Sequence, residues 1–479
     1  MCDYYQIDRR LGDLGHFAQL IEAAEEIGMR ILIDLAVNHT SKEHKWFQES
    51  RKDKNSKYRN FYIWVDEKPE DDSPNMMAGE DGGGSSWEYD EVADAYYFHT
   101  FYAHQPDLNI TNPDVQDEIF RIMQFWLRLG VSGFRMDAAP HMFNEKGNID
   151  FDGDPHKVFK NFREFVETQK KDAILLAEVD LEPEKYSHFF GDEDEMHMLF
   201  NFYVNNYMFL SFARKEAIPI ANALKKMEQT SKKEQMAIFL RNHDELNLDK
   251  LSEKEKNEVF EAFAPEENMR IFGRGIRRRL APMLNNDRKR LEMAYSLLFS
   301  LPGTPVLRYG QEIGMGEDLS LEGRSSVRTV MQWSNEKNGG FSNVPTEKLI
   351  RSIISEGEFG YEKVNVNDQH RDPDSFLNWM GRVINTRKEF PEFGWGEYKV
   401  LDTGNPKILA HCRKSDKGLA LAVHNFSDEE LEVKLSLEDA EDVIDIFGNE
   451  KYDAFDQETQ ELKISAYGYR WMHKRKKFL

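Results

Sequence analysis

The strongest constraint in this sequence is a repeated local pattern: a short apolar run that ends in polar groups, then a stretch with helical periodicity. Arg30-Ile31-Leu32-Ile33-Asp34-Leu35-Ala36-Val37-Asn38-His39 opens apolar and closes on Asn38 and His39. Gly133-Phe134-Arg135-Met136-Asp137, Ala173-Ile174-Leu175-Leu176-Ala177-Glu178 and Ala237-Ile238-Phe239-Leu240-Arg241-Asn242-His243-Asp244 behave alike. His197 to Phe202 is a weaker strand candidate, and Thr304-Pro305-Val306-Leu307-Arg308-Tyr309-Gly310 comes after a helix over 288–301. Continuous apolar runs of this length read as buried parallel strands. Strands alternating with helices give a parallel sheet. Polar residues at successive strand C-termini point to a (β/α)8 TIM barrel, whose active site lies at that face.

The helices carry their own stop and start signals. Asp13 precedes a stripe of Phe17, Leu20, Ile21, Ala24 and Ile27, stopped by Gly28. Asn112 caps and Pro113 opens a helix whose stripe is Val115, Ile119, Ile122, Met123 and Trp126, closed by Gly130. Residues 40–104 change character, with Gly82-Gly83-Gly84-Ser85-Ser86-Trp87 in their midst, and are too long for a plain loop. They are expected to form a small inserted domain. From about residue 392 short period-two strands appear, around Val400, Leu409, Leu421, Val433 and Lys463. The expected domains are therefore a barrel over 1–39 and 105–391, an insert over 40–104, and an antiparallel β-sandwich over 392–479. Six barrel strands can be counted where eight are needed, and the residues after Val306 are not βα-like. The barrel is expected to be N-terminally truncated, lacking its first two βα units, with an open sheet edge.

Charge and composition exclude several partners. Lys and Arg total 63 against 86 Asp and Glu, a formal charge of -23, which argues against nucleic acid and anionic membrane. Two cysteines, Cys2 and Cys412, make no disulfide framework. The N-terminus MCDYYQIDRR has no apolar secretory run, and no stretch approaches a membrane span, so a cytoplasmic location is expected. A neutral sugar needs no charge steering, and aromatic faces suit it.

Three strands end in acids. In Arg135-Met136-Asp137, alternation sends Arg135 and Asp137 to one face, and a guanidinium favours the ionised carboxylate. Glu178 comes after four apolar residues, a setting that would keep it protonated. Asp244 comes after His243. A retaining glycosidase needs an ionised nucleophile and, ~5 Å away, a protonated carboxyl. Each acid alone could be a salt-bridged residue of a barrel rim; three in register make catalysis the stronger reading.

The sequence resembles glycoside hydrolase family 13, the α-amylase family. Asp34-Leu35-Ala36-Val37-Asn38-His39, Gly133-Phe134-Arg135-Met136-Asp137, Ala177-Glu178 and Arg241-Asn242-His243-Asp244 carry the likeness, with Gln105-Pro106-Asp107-Leu108-Asn109 as a further motif. The resemblance implies Asp137 as nucleophile, Glu178 as acid/base and Asp244 as transition-state stabiliser. It implies sugar contacts from His39, Gln105, Arg135 and His243. It also implies a Ca²⁺ ion held by Asn38, Asp107 and backbone carbonyls of His141 and Met142, with Asn144 or Glu145 near a family glutamate position. The competing reading of Asn38 is a strand-end cap.

Within the family the chain is most similar to trehalose synthases, which interconvert maltose and trehalose. Gly275-Ile276-Arg277-Arg278-Arg279-Leu280-Ala281-Pro282 and Val327-Arg328-Thr329-Val330-Met331-Gln332-Trp333 support that likeness. Read alone, Arg277 to Arg279 is a solvated basic run. The chain departs from the pattern at Val179-Asp180-Leu181, and at Arg308 and Gln311, where trehalose synthases usually carry tyrosine and aspartate. A family Gly-Tyr-Asp aspartate would fall just before Met1, and Asp3 is not it. Two further functions stay open: a hydrolytic α-glucosidase acting on short α-glucosides, and a non-catalytic amylase-like binding protein, against which retention of all three acids argues.

Overall fold

The computed structural model describes residues 1–70, 75–76, 84–142, 156–227, 234–437 and 441–475. Gly82, Gly83, Asn144 and Glu145 lie outside them. The chain divides into two compact units, Met1–Phe200 with Lys233–Gln235, and Asn201–Lys232 with Met236–Leu479.

In the first unit four parallel strands lie side by side: Ile33–Leu35, Gly133–Met136, Ile174–Ala177 and Met198–Phe200. The helix Pro113–Leu129 forms as its signals dictate. Asn112 accepts from the Asp114 amide, Pro113 fills the first turn, and Gly130 closes the helix at φ 118°. Its stripe is buried throughout. The helix Leu14–Glu26 is likewise capped by Asp13, but only Ile21 and Ala24 of its expected stripe are buried. Leu20 and Ile27 are exposed, a correction to the amphipathic reading. The helix touches its neighbours along a narrow seam, where Phe17 meets Trp126 and Ile21 sits against Gly130. Residues 45–98 hold the helix Lys45–Lys52 and a three-stranded antiparallel sheet, packed around Phe47, Trp64 and Tyr97.

In the second unit Thr304–Val306 pairs in parallel with the strand Gln235–Phe239, in register Ala237 to Thr304. The C-terminal part is antiparallel, a five-stranded sheet and a two-stranded one. Their inner faces share one core that includes Ala410, Leu421, Met472, Val433 and Ile464. Two of its strands, Ile444–Gly448 and Tyr469–Arg475, are additional to those expected from the sequence.

The helix Arg288–Ser300 joins this β domain through buried polar groups. Trp471 Nε1 donates to Ser296 Oγ at 2.9 Å, which also meets His424 Nε2 at 3.0 Å. Ser300 Oγ lies 3.2 Å from His411 Nε2. Trp379 Nε1 donates to the Tyr469 hydroxyl at 2.8 Å, and that hydroxyl donates to Glu292 at 3.0 Å. Among the described residues no helix is long and apolar enough to cross a membrane.

Candidate active site

The Gly133–Met136 strand positions the first cluster. Gly133 has φ 150°, and a Cβ there would sit 2.2 Å from the Ile174 carbonyl oxygen. Only glycine lets these two strands approach so closely. Alternation then buries Phe134 and Met136 on one face and leaves Arg135 and Asp137 on the other. Asp34 lies opposite Arg135 in the parallel register, and Glu178 sits just past the Ile174–Ala177 strand, its amide donating to the Met136 carbonyl.

One guanidinium ties three carboxylates. Arg135 Nη1 donates to Asp34 Oδ1 at 3.0 Å and to Asp137 Oδ1 at 2.7 Å, while Nη2 donates to Glu178 Oε2. Burial works against the Arg135 charge, but Glu178, Asp137 and Asp34 more than offset it and hold it firmly cationic. The apolar setting expected for Glu178 is corrected here. Its backbone continues an apolar strand, yet its carboxylate meets the Arg135 guanidinium. Asp34 is a partner in this cluster that the sequence reading does not assign; its signal is an acid interrupting an otherwise apolar strand.

A second cluster lies in the same unit. Asn38 and Asp107 are buried, and Asn38 Nδ2 donates to Asp107 Oδ2 at 3.3 Å. Asp107 also accepts from the Thr100 amide at 2.9 Å and the Thr100 hydroxyl at 2.6 Å. His39 bridges Asp107 through the backbone, and Phe101 sits edge-on to both His39 and His141. Residue 141 is thereby brought to the Asn38–Asp107 neighbourhood, in the short helix Ala139–Met142. A buried carboxylate beside a side-chain amide offers the oxygen donor types that a hard cation takes. Gln105 is half-buried in a turn closed by its amide on the Tyr102 carbonyl.

In the second unit, His243 and Asp244 lie just past the Gln235–Phe239 strand. Arg328 Nη2 donates to Asp244 Oδ1, Arg324 Nη1 lies 3.5 Å from Oδ2, and His243 Nε2 lies 3.7 Å away. Burial pushes the Asp244 carboxyl up, but Arg324, His243 and Arg328 outweigh it and hold it below the usual carboxylate range. Arg328 Nε also donates to the His243 carbonyl at 2.8 Å. The two arginines lie about 80 residues downstream of Asp244, and no local spacing announces them. The run Arg277 to Arg279 is not solvated. Arg277 donates to carbonyls of Leu319 and Leu321, Arg278 pairs with Glu317 at 2.8 Å, and Arg279 is buried.

The family described as "Alpha amylase, catalytic domain" matches residues 1–264 and 268–396. The chain belongs to the α-amylase family. A second match, "Sucrose hydrolase-like, C-terminal domain", covers residues 419–473. The chain is 35% identical to the trehalose synthase/amylase of Mycobacterium tuberculosis, over 98% of its own length and 79% of that protein's. It is 41% identical to the trehalose synthase of Thermus thermophilus, over 89% of its length and 44% of the relative's. The crystal structure of an α-amylase from H. orenii superposes with a TM-score of 0.78 at 26% identity, covering 99% of this chain and 86% of that one. The fold is thus the TIM barrel of the α-amylase family, with a parallel central sheet and a C-terminal antiparallel sheet domain.

Proposed function

We propose that this α-amylase-family chain is a transglucosylase that interconverts maltose and trehalose through a glucosyl ester on Asp137. The observation that carries the proposal is its likeness, at 35% and 41% identity, to two proteins named for trehalose synthesis. Asp137 attacks C1 of the non-reducing glucosyl unit, and Glu178 gives its proton to the departing glycosidic oxygen. The released glucose turns in place. Its anomeric hydroxyl then attacks C1, returns its proton to Glu178, and leaves Asp137 free. Arg135 favours the leaving carboxylate of Asp137, and Asp244 takes the family's stabilising role. His39, Gln105 and His243 are assigned to sugar hydroxyls. Water attacking the ester would give glucose, so exclusion of water decides the product, and the inserted residues 40–104 are assigned to that exclusion.

Incubation with maltose tests the proposal. Trehalose should accumulate without matching free glucose, and Asp137→Asn should abolish it. Glucose as the sole product would make the chain a hydrolase. Turnover unaffected by Asp137→Asn would remove the assignment of the nucleophile.

We further propose that Asn38, Asp107 and the carbonyls of His141 and Met142 hold a structural Ca²⁺ ion. Its charge would offset that of the buried Asp107.

A further inference from the structure

Behind the segment that carries Asp244, the second unit encloses a small cavity lined by Arg241, Arg279, Arg308 and Gln311 and closed by Tyr295 and Met315. Its free space is about 10 Å³, the room of a single water-sized sphere. Arg241 and Arg279 are each 3% exposed and Gln311 is 5% exposed. Five of their N–H-bearing atoms have no hydrogen-bond partner among the described residues: Arg241 Nη1, Arg279 Nε and Nη2, Arg308 Nε and Gln311 Nε2. Buried donors of this kind are costly unless something accepts from them.

No described carboxylate supplies that acceptor. Among the described residues none of the three guanidinium groups is in an ion pair. Glu317 is engaged by Arg278 at 2.8 Å and by the Arg279 amide at 2.9 Å. Glu245 is engaged by Arg324 at 2.6 Å. Glu312 accepts from backbone amides of residues 310 and 312, and burial pushes its carboxyl up. Burial first and Arg308 second push Arg279 down to about 9 and Arg241 down to about 10. A water molecule is a poor filler, since it brings two protons of its own. The amide oxygen of Gln311 is already taken by the Arg308 amide at 2.7 Å, which also fixes the Gln311 NH₂ toward the cavity.

We propose that this cavity binds one halide-sized monovalent anion, held by Arg241, Arg279, Arg308 and Gln311. Such an ion accepts from every free donor and brings no proton. Larger oxyanions are excluded by the volume. The ion is a positioning element: Arg241 also donates to the Asp244 carbonyl at 2.8 Å, and Arg308 to the Asn242 carbonyl at 3.2 Å. Offsetting part of the charge on Arg241 and Arg308 fixes the backbone on either side of His243.

The test uses the full chain and bromide, at ionic strength held constant with sodium gluconate. The melting temperature should rise with the logarithm of bromide concentration, by about 1–2 °C per tenfold increase above its Kd. Anomalous diffraction at the bromine edge should show one peak among the three guanidinium groups. Gln311→Glu places a fixed carboxylate in the cavity and should abolish both the rise and the peak. Arg308→Met, which removes one charge and one donor, should weaken the bromide dependence at least tenfold. A water at that position, equal melting temperatures in bromide and gluconate, or a rise unchanged in both variants would overturn the proposal.

Discussion

Arg135→Met is the sharpest single perturbation of the first unit. It removes the guanidinium that touches Asp34, Asp137 and Glu178 at once. Because one nitrogen reaches both Asp34 and Asp137, their nearest oxygens lie within about 6 Å of each other. At that separation two unit charges repel by ~3 kcal/mol at an effective dielectric of 20, and by ~0.7 kcal/mol in water. Asp34 is 66% exposed, so its share belongs at the lower end. Asp137 and Glu178, at 30% and 23%, are better shielded from solvent. The variant should therefore lose about 2 kcal/mol of stability near pH 8. Urea unfolding at pH 8 measures the loss, and initial rates on an aryl α-glucoside should fall ~10²- to 10³-fold. An unchanged stability, or a variant retaining more than about a tenth of its rate, would refute the reasoning.

Arg328→Gln should destabilise the chain by ~1 kcal/mol at pH 7, since Asp244 loses a partner that lowers its pKa. That contribution is present above the unfolded aspartate value and is lost as pH falls through the lower folded one, so parent and variant should converge in acid unfolding curves. Gly133→Ala should cost ~3 kcal/mol or more, because its Cβ meets the Ile174 carbonyl and φ is 150°; a variant melting within a degree of the parent would contradict the close approach. If Asn38 and Asp107 hold calcium, EDTA should lower the melting temperature and added Ca²⁺ restore it, while Asp107→Asn should be insensitive to both.

The parallel strands were legible because apolar runs such as Ile31-Leu32-Ile33 and Ile174-Leu175-Leu176 have no other use, and the helix after Asn112 because cap, proline and glycine agree with its stripe. The pair Arg135 and Asp137 was legible because alternation is local. What stayed hidden was long-range. Arg324 and Arg328 reach Asp244 from distant sequence, and the ionic surroundings of Glu178 depend on a neighbouring strand rather than on the apolar residues before it. The strand Tyr469–Arg475 mixes basic and apolar residues without a clean period of two, and only its partner strands show that Trp471 and Met472 are both buried. The exposure of Leu20 and Ile27 is the converse: periodicity identifies the helix but not what covers its stripe.

The hydroxyls of Ser296 and Ser300 and the indole of Trp471 have their partners across the joint between the Arg288–Ser300 helix and the β domain, and the Trp379 indole reaches Tyr469 of that domain from the helix Phe376–Glu389. An oily seam can be peeled and resurfaced with a few polar substitutions; a seam stitched by buried donors and acceptors cannot. Shortening the gene before residue 397 would strand those groups without mates, so the tail of this enzyme is part of its chassis rather than a detachable accessory.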